Sequence, residues 1–201
     1  MAWAAMPAIA QDQAYHLFAD QRSWLGIPRA ADVLSNLAFV LVGLVGIARL
    51  ASGRRTQFSG ATEAGLWCVT LGFLCTGAGS AWYHLNPVDA TLAWDRLAMT
   101  LVFAGMLGTA FAQRIGPKVA RASLVALVLF GIASIAYWRL AGDLSLYVTF
   151  HAGAVAALLA LLLAARRDDD PFPWWWIIGW YVLAKLLELL ERGDFDVALN
   201  G

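Results

Sequence analysis

The chain of 201 residues is 61% hydrophobic and 14% charged, with a formal net charge of zero. That composition is too apolar for a water-soluble domain and describes a polytopic membrane protein. Nucleic acid is not among the expected partners, and the net charge says little more, because the position of basic residues rather than their sum orients a membrane protein.

From the amino terminus, Ala8-Ile9-Ala10 resembles a small-residue cleavage site, but no basic region precedes it and Pro7 breaks the apolar run. The first thirteen residues therefore read as an ordinary mobile terminus, unless the true start lies upstream. Residues 14 to 29 mix Phe18, Trp24, Leu25 and Ile27 with Asp20, Arg22 and Arg29, which suits an interfacial segment. His16 within it reads as a surface residue.

Six spans follow at about the twenty residues that a bilayer requires. The first, 30 to 50, opens with Asp32, Ser35 and Asn36, and Asp32 shares a face with Asn36. The second, 62 to 85, contains Gly72, Gly77, Ala78 and Gly79, which let a neighbouring backbone approach, and Cys68 and Cys75, read as packing residues. The third, 89 to 113, carries Asp95 and Arg96. The fourth covers 118 to 138, and the fifth, 144 to 165, holds His151, read as a packing histidine rather than a ligand. The sixth, 174 to 191, opens on Trp174-Trp175-Trp176, an aromatic belt, and contains Lys185 and Glu188, expected to pair on an inward face. The fold class is thus an all-α transmembrane bundle.

Basic residues set the orientation. Arg49, Arg54, Arg55, Arg114, Lys118, Arg121, Arg166 and Arg167 occupy alternate loops, and Arg22, Arg29, Arg139 and Arg192 the other side. The first set is expected in the cytoplasm and the amino terminus outside.

Residues 80 to 95 concentrate the chemistry. If the segments flanking Pro87 are antiparallel helices, Ser80 and Asp95 lie nearly equidistant from the turn and meet at one depth, with His84 one turn from Ser80. Ionisable groups at that depth are costly and mark a functional site. Two schemes suit them: a serine nucleophile with His84 as base and Asp95 as its orienter, or a metal centre with His84 as ligand and Ser80 and Asp95 handling the bound water. A non-enzymatic transporter or receptor-like module with a polar relay is the alternative.

Gly79-Ser-Ala-Trp-Tyr-His84-Leu-Asn-Pro87 and Thr91-Leu-Ala-Trp-Asp95-Arg96-Leu-Ala-Met99-Thr100 resemble bacterial members of the alkaline ceramidase family, in a wider group of seven-helix membrane hydrolases that includes the adiponectin receptors. The resemblance extends to Asp32-Val-Leu-Ser35-Asn36-Leu and to residues 183 to 191. It implies a zinc hydrolase acting on the amide of ceramide or a related lipid amide in sphingolipid metabolism, with His84 as zinc ligand and Ser80 and Asp95 as its catalytic neighbours. The family's two other histidine ligands lie as His-x-x-x-His on a seventh helix. His84 is the single family-position histidine here, so residues 30 to 201 read as a ceramidase-like domain lacking that helix, behind an interfacial segment of residues 1 to 29.

Overall fold

The computed structural model describes residues 7–52, 58–164 and 170–200, with side chains described as far as residue 188. Arg54, Arg55, Arg166, Arg167 and the first two aspartates of the 168 to 170 run lie outside the described residues. Helix dominates: α1 Ala30–Ser35, α2 Leu37–Ala51, α3 Gly60–Leu85, α4 Asp89–Arg114, α5 Pro117–Ala141, α6 Ser145–Ala164 and α7 Trp174–Asn200. With α1 and α2 counted as one span, five helices among the described residues are long and apolar enough to cross a bilayer, α7 at the expected sixth span not being among them, which makes this an integral membrane protein of the all-α class. Packing divides the chain into residues 1–161 and 162–201.

The first span breaks at Asn36. Ser35 Oγ and Asn36 Nδ2 both donate to the Asp32 carbonyl, each at 2.8 Å, and the Asn36 N–H turns to the Val33 carbonyl instead. Short polar side chains have here outcompeted the helical ladder, and a new helix starts one residue on.

Glycines decide how closely α3 packs. A methyl on Gly105 of α4 would lie 2.7 Å from the Gly65 carbonyl of α3, so the two backbones are already in contact. Toward the other end of the pair, a methyl on Gly79 would lie 3.1–3.2 Å from the Trp94–Asp95 peptide. Gly77 turns to a different neighbour, packing on Val40 and Asn36 of the first span. The α3–α4 turn is closed by Thr91, whose Oγ1 donates toward the Asn86 and Val88 carbonyls. At the end of α5, Gly142 adopts φ +70° and returns its N–H to the Trp138 carbonyl at 2.8 Å, a left-handed cap.

From Pro7 onward the amino-terminal segment is fastened to the bundle, where the sequence reads residues 7 to 13 as loose. From Pro7 to Arg29 it forms a strap across the end of the bundle where α3 meets α4 and α5 meets α6. Ile9 donates to Asp143 Oδ1 at 3.0 Å and accepts from the Leu144 N–H at 2.8 Å. A 3-10 turn, Gln13–His16, follows, capped by Asp12. Strands β1 Ser23–Trp24 and β2 Ile27–Pro28 then form a hairpin through Leu25 and Gly26, both at positive φ. Asp20 fastens the hairpin to α1 by accepting from the Arg22 Nε at 2.8 Å and the Ala31 N–H at 3.1 Å.

Helix α7, taken by itself, begins at Trp174, whose indole donates to Asp170 Oδ1 at 3.1 Å. Trp175 and Trp176 are exposed. The helix runs nine residues past the sequence-predicted end at 191. Lys185 and Glu188 pair at 2.6 Å, one turn apart on this helix.

Candidate functional site

The close approach of Gly79 to the Trp94–Asp95 peptide brings Ser80 and Asp95, each the neighbour of a contact residue, to one level of the bundle. Asp95 is 9% exposed, on the packed side of α4. At about 100° per residue round α3, Gly77 faces the first span, Gly79 faces α4, and Ser80 and His84 lie on the arc between them. Thr76 and Tyr83, buried on that same arc, mark it as interior.

His84 lies against Asp32, Nδ1 to Oδ2 at 3.7 Å, with the side chains 19% and 29% exposed. Its backbone is held as well: Arg29 Nε donates to the His84 carbonyl and Nη2 to that of Leu85. The Phe18 ring of the strap covers the imidazole, with centroids 4.5 Å apart. The cluster thus contains Asp32, named in the sequence for its own helix, and a roof that the sequence did not indicate.

His16 is the clear correction. Read from sequence as a surface residue, it is instead wedged between helices, 11% exposed. Its Nδ1 lies 2.9 Å from Tyr83 Oη and its Nε2 3.1 Å from Asp89 Oδ1. Tyr83 Oη also donates to the Tyr15 carbonyl at 3.3 Å. Asp89 serves this latch at the first turn of α4, where a helix N-terminus favours a carboxylate. The linear cue, a histidine between aromatic residues in an apolar protein, is weak. Its partners lie 67 and 73 residues away.

Arg96, beside Asp95, points to the opposite wall. Its guanidinium carbon sits 4.6 Å from the Trp138 ring centroid, 5.1 Å from Tyr147 and 5.3 Å from Tyr15. It is 6% exposed, and Nη1 finds no hydrogen-bond acceptor among the described residues. Three aromatic faces surround the guanidinium, a cation–π box. His151 lies among Phe103, Tyr147 and Phe150, with Nδ1 3.3 Å from the Tyr147 carbonyl.

Compared with family models, curated proteins and solved structures, the chain matches none. The cluster holds an imidazole against one carboxylate, His84 and Asp32, below an aromatic ring, with Ser80 on the same arc of α3 and Asp95 buried on α4.

Catalytic zinc takes three protein ligands and an open position. His84 and Asp32 present two donors on one side, and among the described residues no three His, Cys, Asp or Glu side chains come together. These residues do not by themselves complete the zinc centre that the resemblance implies.

Proposed function

We propose that the protein is a lipid-amide hydrolase of the alkaline ceramidase kind, acting on ceramide or a related N-acyl lipid from within a bacterial inner membrane, with its amino terminus outside. The observation that carries the proposal is the packing of Gly79 on the Trp94–Asp95 peptide, which sets Ser80 and Asp95 at one depth. On the same interior arc of α3, His84 faces Asp32. The resemblance of these segments to the family, and the asymmetry of basic loops, support the substrate class and the orientation.

In this reading each residue has a separate task. Asp95, shielded from bulk water, is the base: it takes a proton from the attacking water and returns one to the amine as the C–N bond breaks, leaving a fatty acid. Ser80 donates a hydrogen bond to the water or to the carbonyl oxygen. His84 is the residue at the family's ligand position, while Asp32, Arg29 and Phe18 fix its ring and backbone. No step is assigned to a metal.

The test is fatty-acid release from labelled ceramide together with zinc content. With two donors brought together among the described residues in place of three, the protein is expected to lose zinc on gel filtration and to turn over little. A variant extended by a helix carrying His-x-x-x-His is expected to hold about one zinc and to release the labelled acid. His84→Ala is expected to abolish both, and Asp95→Asn turnover alone. An extended protein that binds zinc independently of His84, or that hydrolyses nothing once loaded, would sink the proposal.

A further inference from the structure

On the far side of the same helix pair, Cys75, Ala78 and Trp82 of α3 and Trp94, Ala98 and Leu101 of α4 line an apolar groove of about 390 Å³. We propose that it binds one acyl chain of a bilayer glycerolipid, a site separate from the candidate hydrolytic centre. Ser80 lies roughly 150° round α3 from the groove, counted at 100° per residue, so a chain seated here does not reach it.

Three features select this occupant. The first is direction. Trp82 and Trp94 stand near the end of α3 and the start of α4, and Cys75 and Leu101 lie about 10 Å deeper along the axes. The groove therefore runs from the level where indoles meet headgroups down into hydrocarbon, along the path of a lipid tail.

The second is width. The groove exists because Gly79 and Ala98 supply almost no side chain between α3 and α4, while Trp82 and Trp94 project on either side, 50% and 56% exposed. A transmembrane helix about 10 Å across docks on a flat seam of small residues, not into a slot walled by two indoles. A single flexible tail enters such a slot and fills it.

The third is chemistry. The lining offers no charged group, and Cys75 is exposed at the deep end, which suits hydrocarbon and excludes a headgroup there. The two indoles at the shallow end each carry an N–H donor of the kind that ester carbonyls of a glycerolipid accept from.

The experiment uses the full chain in phosphatidylcholine nanodiscs doped with phosphatidylcholine bearing a mid-chain diazirine. Photolysis is expected to label the groove residues above the other lipid-facing positions. Ala78→Phe, which plants a ring in the groove from an exposed position, is expected to cut that labelling roughly tenfold, about 1.4 kcal/mol, without lowering the melting temperature. Even labelling around the bundle, or labelling indifferent to Ala78→Phe, would overturn the site. In a Cys68→Ser background, oxidation that couples Cys75 between copies in place of lipid labelling would show a second chain in the groove and overturn it equally. Neither measurement needs zinc or an amide substrate. Its failure leaves the hydrolase proposal standing, and the converse holds.

Discussion

Replacing His16 by alanine tests whether the strap is latched as the structure describes. The substitution removes two hydrogen bonds, to Tyr83 Oη and to Asp89 Oδ1. A neutral bond contributes about 1 kcal/mol, and one to a charged group about 1.5–3 kcal/mol. Two facts reduce the total. Asp89 is 33% exposed and turns to water, and Tyr83 keeps the Tyr15 carbonyl, so neither partner is left orphaned. The net cost is then about 1–2 kcal/mol, a 5–30-fold rise in the population with the strap lifted. Hydrogen exchange at the Leu17 amide, which donates to the Ala14 carbonyl at 3.0 Å, reports that population directly. Exchange within α4 should not change. His16→Gln, able to keep one of the two bonds, is expected to fall between. Unaltered exchange at Leu17 in His16→Ala would refute the latch, and loss of protection through α3 and α4 would show that His16 supports the bundle itself.

Acid should release the strap at its other attachments. The Ser145 and Ile9 N–H groups hold the Asp143 carboxyl below the ordinary value of 3.8, and the Arg22 guanidinium does the same for Asp20. Depressed carboxylates contribute fully above their unfolded value and lose that contribution as pH falls through the folded one, so proteolysis of residues 7–29 should rise below about pH 4. Asp143→Asn should flatten that rise, and an unchanged pH profile would contradict the attachment. Gly105→Ala drives a methyl against the Gly65 carbonyl and the Val69 N–H, both backbone atoms 2.7 Å away, and should cost about 1–3 kcal/mol in thermal stability. Equal melting temperatures would refute the close contact. Arg96→Ala should cost about 3 kcal/mol through lost stacking and a void, whereas Arg96→Met fills the box and removes the unmatched Nη1 donor, for about 1 kcal/mol or less. Two variants melting alike would show that packing around Arg96 carries none of the difference.

The spans were legible because hydropathy over twenty residues is a strong local signal, and observed and sequence-predicted limits from α3 to α5 differ by at most three residues. The level match of Ser80 and Asp95 was also legible, since Pro87 marks a turn and helical rise does the rest. What escaped was contact between distant segments. Nothing near Asp32 indicates that it faces His84, and Asn36 looks like a polar residue in a span rather than a helix break. The strap escaped most completely: its residues lack a period, and its structure comes from groups supplied by α1, α3, α4 and the α5–α6 turn. Local propensity cannot register a conformation that only tertiary partners stabilise.

The Ile9 attachment also bears on the order of assembly during synthesis. Ile9 and Asp143 are 134 residues apart, so the bond cannot form until the ribosome has made the α5–α6 turn. At 5–20 residues per second, that is a wait of roughly 7–27 seconds. During this interval Tyr15, His16 and Phe18 can settle on the newly inserted α3–α4 hairpin, but the segment ahead of them has no seat. The nascent chain therefore closes its own end in two stages, His84 receiving its cover first and the helices behind it being tied in later. A chaperone or protease on that side of the membrane would meet the first stage as a half-fastened intermediate.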